Sequence, residues 1–219
     1  MTLLSSGTEG RQLIDGPAGE LEVSLQAGSE RGPFSGRGYY AVVAHPHPLY
    51  GGTMDNKVVT TVARLYRELG IAVGRFNFRG VGASEGRHDN ADGEVLDLRA
   101  AANYLQTACA GSRLLIAGYS FGSAVAAAAS LSEPLEHLLL IAPPIERYPF
   151  APDGGFPCPL LVVLGSEDDL VDMARAKHWA QALSSPVQCR VIDGADHFFD
   201  GQLQALADSI VPVLNEALD

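Results

Sequence analysis

Ser120 is the residue around which nucleophilic chemistry could be assembled in this chain. It is the centre of Gly118-Tyr119-Ser120-Phe121-Gly122, a G-x-S-x-G pentapeptide. An apolar run of strand length (114–119) precedes it and a small, alanine-rich run of helical character follows it. A strand-to-helix turn this tight strains the serine backbone and brings the positions two before and two after it into near collision, which only glycine or a residue almost as small tolerates. The turn lifts the hydroxyl above the sheet edge, beside the free N–H groups and positive dipole end of the following helix, an arrangement suited to acyl transfer. A serine needs a base to become a useful nucleophile and an acid to orient that base. Acids crowd at Glu167, Asp168, Asp169 and Asp172, just after the apolar run 160–164. Among His45, His47, His88, His137, His178 and His197, only His197 stands in a loop after the last apolar strand run, beside Phe198 and Phe199, which can fix its ring.

A second dense signal is His45-Pro46-His47-Pro48, followed by Leu49-Tyr50-Gly51-Gly52. Proline removes the backbone donors at 46 and 48, so His47 supplies the only N–H after His45 within this unit. One donor in a rigid loop is half of what an oxyanion hole requires. The same two histidines could be a metal pair or simply decorate a proline-stiffened turn, but no third ligand with convincing spacing accompanies them. Glycines at 80, 82 and 86 follow a strand-like run and hint at a dinucleotide loop. Their spacing misses G-x-G-x-x-G by one, and Glu85 puts negative charge where a pyrophosphate belongs. No cofactor and no metal are expected.

The elements that must hold these residues alternate between strand and helix. An edge hairpin is expected from runs 11–14 and 21–25 around Asp15-Gly16-Pro17, then strands at 39–44, 71–76, 114–119, 138–142, 160–164 and 187–192. Between them the apolar periodicity predicts helices over 56–69, closed by Gly70, over about 92–107, from 121 onward, over 172–183 and over about 202–214. Near-continuous Val, Leu and Ile in the strands argue for a mostly parallel sheet covered on both faces. At 219 residues, one α/β domain is the expectation.

Composition narrows the partners. A formal charge of −11 argues against nucleic acid and against an anionic membrane surface. It also suits a salt-tolerant source or an ordinary acidic protein. The uncharged run 114–132 has the length of a membrane span, but glycines and serines interrupt it, and it lacks an aromatic or basic belt. Cys109, Cys158 and Cys189 are odd in number and without C-x-x-C spacing, which favours reduced core thiols. The first ten residues, MTLLSSGTEG, lack the basic start and apolar core of a secretory signal, so a cytoplasmic location is the default. Monomer and homodimer are both open.

The order Ser120, then an acid after a later strand, then His197, is that of α/β-hydrolases. The chain resembles that superfamily, and closely its small lidless bacterial serine hydrolases. The resemblance rests on HPHPLYGGTMDNKVV (45–59), FNFRGVGASEG (76–86), GYSFG (118–122), GSEDDLV (165–171) and DHFF (196–199), in the family's order across most of the chain. It implies an α/β-hydrolase fold without a cap, because the segment 142–160, where many relatives insert helices, is too short for one. It also implies a Ser120–Asp168–His197 triad, since the family pattern G-x-x-D-x-x-V is framed here by Gly165 and Val171, with Asp169 in reserve. The backbone N–H groups of Phe121 and His47 then form the oxyanion hole. An open, shallow site implies small esters of short acyl chains as substrates, with Tyr50, Tyr119, Phe121, Phe150, Phe198 and Phe199 as candidate walls. Thioesterase, dienelactone-type hydrolase and peptidase chemistry use the same triad, and a binding protein without turnover is the alternative outside enzymes.

Overall fold

In the computed structural model, which describes residues 10–151 and 154–219, the chain forms one eight-stranded sheet. The N-terminal stretch read above for a missing secretory signal lies almost wholly outside the described residues, at 1–9. The strands are β1 (Gly10–Gly16), β2 (Gly19–Gln26), β3 (Tyr39–Ala44), β4 (Ala72–Phe76), β5 (Arg113–Tyr119), β6 (His137–Ile141), β7 (Leu160–Gly165) and β8 (Val187–Ile192). Their order across the sheet is β1-β2-β4-β3-β5-β6-β7-β8. The hairpin β1–β2 and the β2–β4 pair are antiparallel, and every later pairing is parallel. β3 and β5 lie adjacent at the centre, in register from Tyr39↔Arg113 to Ala44↔Gly118, so the histidine–proline loop and the Ser120 turn leave the same edge side by side.

The helices are α1 (Lys57–Glu68), α2 (Asp92–Ala108), α3 (Phe121–Ser130), α4 (Met173–Ala182) and α5 (Leu203–Leu218). α1 and α5 bury Val58, Val62, Tyr66, Ile210 and Leu214 on one sheet face, with Leu115, Ala117 and Tyr119 of β5. α2, α3 and α4 cover the other face, with Leu114 and Ile116 of the same strand. The period-2 alternation of β5 thus feeds two cores, as a strand buried on both sides requires. α3 is almost all alanine because it packs closely on the sheet and along α2 beside it, and Ala124, Ala126, Ala127 and Ala129 are all buried.

Most boundaries shift by a residue or two from the sequence expectation, and two of the differences have a visible cause. The last helix does not stop near 214: it continues through Pro212 to Leu218, because Val213, Leu214 and Leu218 remain buried and the Tyr39 hydroxyl donates to the Leu218 carbonyl at 3.0 Å. The sixth strand runs 137–141, and Ala142, at φ +46°, already turns out of it. Gly70 closes α1 as expected, at φ +90°, with the Ile71 N–H bonded to the Tyr66 carbonyl. Between β6 and β7 there is no helix among the described residues, and no described helix is long and apolar enough to cross a membrane.

Candidate active site

The turn between β5 and α3 has the strain its sequence demands. Ser120 sits at φ +53°, ψ −120°, a conformation that costs a side-chain-bearing residue on the order of 1–3 kcal/mol. The surroundings enforce it. A Cβ on Gly118 would lie 2.2 Å from the Gly122 carbonyl oxygen, and one on Gly122 would lie 2.5 Å from the carbonyl oxygens of both Ala44 and His45. The Ser120 N–H donates to the Ile141 carbonyl at 2.8 Å, which fixes the turn to the end of β6.

Asp168 and His197 are carried to this turn by the ends of β7 and β8. A Cβ on Gly165 would meet the Ala195 carbonyl oxygen at 2.3 Å, so the bare glycine lets the 193–199 loop close against the strand end. The Glu167 N–H then donates to the same Ala195 carbonyl at 2.9 Å. The result is a continuous hydrogen-bonded line: His197 Nδ1 lies 2.8 Å from Asp168 Oδ2, and His197 Nε2 lies 3.0 Å from Ser120 Oγ. The other carboxylate oxygen of Asp168 accepts from the N–H groups of Leu170 and Val171, each at 2.9 Å. With both oxygens committed and its side chain 2% exposed, Asp168 can only accept at Nδ1, which leaves Nε2 as the lone pair facing serine. Asp169 is exposed and no hydrogen bond or ion pair joins it to the ring, so of the four clustered acids the structure brings Asp168 to His197.

The loop after β3 is pinned from below. His45 is fully buried, donating from Nδ1 to the Pro46 carbonyl (2.6 Å) and accepting the Phe78 N–H at Nε2 (3.0 Å). Burial holds its pKa down at about 4, so it stays neutral and ties the ends of β3 and β4 together. His47 Nδ1 accepts the Leu49 N–H at 3.2 Å. These engagements leave the two rings unavailable as a metal pair, and no group of three potential ligands occurs among the described residues. A Cβ on Gly52 would meet the Pro46 carbonyl oxygen at 2.0 Å, so the loop folds back on itself at a glycine that nothing larger replaces. The backbone N–H of His47 and that of Phe121, the first residue of α3, have no acceptor among the described residues, and both residues line the cavity in front of Ser120.

That cavity encloses about 410 Å³. Of the wall candidates, Tyr50, Tyr119, Phe121 and Phe198 line it. Tyr50 and Phe198 stand at its mouth, 84% and 50% exposed, whereas Tyr119 is buried and its hydroxyl donates to the His197 carbonyl at 2.9 Å. Phe150 and Phe199 are not wall residues. Phe150 packs on Trp179 at 5.4 Å in the core beneath α4. Phe199, at φ +54°, turns inward to the α1/α5 core, because consecutive loop residues point to opposite sides. The walls also include Pro144, Arg147, Tyr148, Leu170 and Val171, none of which was singled out as a wall in the sequence. Tyr148 edges onto the Phe121 ring at 5.4 Å, where the turn after Pro143-Pro144 brings this short segment back over the site.

With the geometry in view, the comparisons with known proteins are decisive on family. A family model described as "Alpha/beta hydrolase domain" matches residues 41–205. The chain belongs to the α/β-hydrolases. Among solved relatives of this α/β-hydrolase, a structure described as an alpha-beta serine hydrolase homologue from Coxiella burnetii is 38% identical, with a TM-score of 0.88 over 96% of this chain and 98% of that one. A Xanthomonas campestris protein described as an α/β serine hydrolase without lid is 34% identical, with a TM-score of 0.90 over 97% and 96% of the two chains. An uncharacterised protein of Rickettsia prowazekii is 36% identical over 208 residues, 90% of this chain and 85% of that one. The α/β-hydrolase fold is thus shared with the two solved relatives, and the 80–86 loop that hinted at a dinucleotide is bonded into that fold. In this hydrolase those glycines serve a structural loop in which Glu85 accepts the Glu20 N–H at 2.9 Å and Glu22 accepts from Asn77 and Ala83.

Proposed function

We propose that the chain is a serine esterase that hydrolyses small carboxylic esters of short acyl chains, about acetyl to butyryl, through an acyl-enzyme. The observation that carries this reading is the unbroken Asp168–His197–Ser120 line ending at the floor of the cavity. Ser120 Oγ attacks the ester carbonyl while His197 Nε2 takes its proton, and Asp168 holds the tautomer and stabilises the imidazolium. The tetrahedral oxyanion receives hydrogen bonds from the Phe121 and His47 backbone N–H groups. In comparable sites the loss of one such donor raises the barrier by about 3 kcal/mol. The imidazolium returns its proton to the departing alkoxide, and a water molecule then repeats the sequence on the acyl-enzyme to release the acid. No cofactor takes part in any step. The short crossing between β6 and β7 supports the small-substrate preference, since none of the described residues there extends the cavity into a long acyl tunnel. Free thiols at Cys109, Cys158 and Cys189 support a cytoplasmic setting.

A panel of p-nitrophenyl esters from acetate to palmitate, assayed on the wild type and Ser120→Ala, tests nucleophile and depth together. Activity should peak at or below butyrate and vanish in the variant. Rates that climb steadily to palmitate would refute the small-substrate reading. Parallel assays on thioester, lactone and peptide substrates separate the chemistries that share this geometry. Failure of a fluorophosphonate to label Ser120 would turn the reading towards a binding protein.

A further inference from the structure

The cavity in front of Ser120 is electrostatically unlike the rest of the molecule. The chain has 26 acidic against 15 basic lysine and arginine side chains and a net charge of −11. Yet the cavity lining, as far as the described residues extend, contains no aspartate or glutamate and one arginine, Arg147. The catalytic-line carboxylate, Asp168, is hidden behind His197 and saturated with hydrogen bonds, so it contributes no acceptor to the cavity wall.

Arg147 is held in place by its backbone and left free at its guanidinium. The turn after Pro143 is closed by the Arg147 N–H to the Pro144 carbonyl at 2.9 Å and the Tyr148 N–H to the same carbonyl at 3.3 Å. Tyr148 in turn packs on Phe121. Among the described residues no carboxylate pairs with Arg147. Its sequence neighbour Glu146 turns away to Arg175. Glu94, a buried acid whose charge is felt at His47, is occupied by the Asp89 and Ala91 N–H groups at 2.9 and 3.0 Å and by His88 at 2.8 Å. The side chain nevertheless projects its charge into the site: burial first, then His88, then Arg147 disfavour protonation of the His47 imidazole, against an opposing pull from Glu94. An exposed guanidinium beside apolar and aromatic walls, with five donors and no carboxylate partner among the described residues, matches one ligand chemistry above others, a planar anion that accepts two hydrogen bonds.

We propose that Arg147 determines specificity and that the ester this site takes bears a carboxylate group, on its acyl or its alcohol side, which pairs with the Arg147 guanidinium. The inference rests on the esterase reading above and deepens it from small esters to anionic small esters. It also gives the acid-free lining a purpose: a net charge of −11 repels a carboxylated ester on average, and a wall that carries an arginine and no acid relieves that repulsion at the site.

Two matched pairs test it. Phenyl acetate against 4-acetoxybenzoate places the carboxylate on the alcohol side, and p-nitrophenyl valerate against mono-p-nitrophenyl glutarate places it on the acyl side, each corrected for spontaneous hydrolysis. The carboxylated member of at least one pair should be preferred in kcat/KM. In Arg147→Gln that preference ratio should fall about tenfold, mainly through KM. Arg147→Lys should recover part of it, and 0.5 M salt should shrink it in the wild type. Arg64→Gln, which removes the same charge from the outer surface of α1, should leave the ratio where it was. Calorimetric titration of Ser120→Ala with the same pairs reads the preference as binding, so it remains decisive if turnover is absent. Loss of all ester turnover in the wild type with the binding preference intact would sink the esterase reading alone. Ester turnover with no preference for either carboxylated partner, or a ratio unmoved by Arg147→Gln, would overturn the Arg147 proposal alone.

Discussion

Asp168→Asn is the sharpest test of the proposed triad, because the structure dictates how the new side chain must sit. Asp168 Oδ1 accepts two backbone N–H groups at 2.9 Å, from Leu170 and Val171. An asparagine amide placed with its NH₂ there would oppose two donors with a third, forfeiting both hydrogen bonds and leaving the part-buried Val171 N–H unsatisfied, at a total cost of about 1–3 kcal/mol. The amide oxygen therefore takes the Oδ1 position, and the NH₂ faces His197 Nδ1, 2.8 Å away in the wild type. Nδ1 must then accept, which moves the imidazole proton to Nε2, where it points at Ser120 Oγ. A ring in that tautomer cannot take the serine proton. In serine proteases the equivalent exchange lowers kcat by about 10⁴, or roughly 5 kcal/mol of barrier. We expect the same order of loss on p-nitrophenyl acetate and in the rate of fluorophosphonate labelling, with the fold intact by circular dichroism. Asp169→Asn, on an exposed side chain, should stay within about twofold, as surface changes usually do. Nitrogen NMR of His197 should show protonation moving from Nδ1 to Nε2. Activity in Asp168→Asn within tenfold of the wild type, or a loss with the tautomer unmoved, would refute the reasoning.

Three further outcomes follow from other contacts. Gly52→Ala drives a Cβ to within 2.0 Å of the Pro46 carbonyl oxygen and must shift the loop that holds the His47 N–H; kcat/KM for acetate esters should fall by about 10²-fold or more, the scale of one lost oxyanion donor, with the fluorescence-detected Tm far less affected. His45 and His137 are buried with pKa values held at about 4, so the unfolded chain takes up protons between about pH 6.5 and 4 that the folded chain refuses. Their contribution is full above pH 6.5 and lost as pH falls towards 4, each histidine giving up about 2 kcal/mol between pH 7 and 5; urea titrations should show His137→Leu, at the end of β6 away from the site, flattening that decline. The buried Arg79–Asp97 pair, joined at 2.8 and 3.0 Å, should make Asp97→Ala cost about 3–5 kcal/mol, because an uncompensated guanidinium is left beneath the 80–86 loop. For a domain of this size that is a fall in Tm of about 10 °C, measurable by calorimetry.

Most of what defines the site was legible in the sequence because it is written in short, sterically constrained turns. Gly118, Gly122 and Gly165 mark places where carbonyl oxygens approach within bonding range of a missing Cβ, and such approaches leave no alternative residue. The mostly parallel sheet followed from βα alternation, which delivers strand ends to one edge, whereas the choice of Asp168 came from the family pattern around Gly165 and Val171 and the order of the strands across the sheet was not legible. The cavity walls were much less legible. Phe150, Phe198 and Phe199 have the same chemistry, and which of them faces the cavity is set by loop dihedrals such as φ +54° at Phe199, to which composition and periodicity are blind. Arg147 and Tyr148 lie in a segment without periodicity, placed by a proline turn whose direction only the packed structure reveals. The histidine pair was ambiguous for a similar reason: the Phe78 N–H that makes His45 a core residue lies 33 positions away.

The hydroxyl of Tyr119 reaches across to the backbone of His197, and Tyr119 is the residue immediately before Ser120. The serine and the imidazole are therefore lashed to a common strut. A displacement of the 193–199 loop must strain or break that bond, so the loop and the end of β5 resist moving apart. Two groups that stand 77 positions apart in the chain thereby share one support.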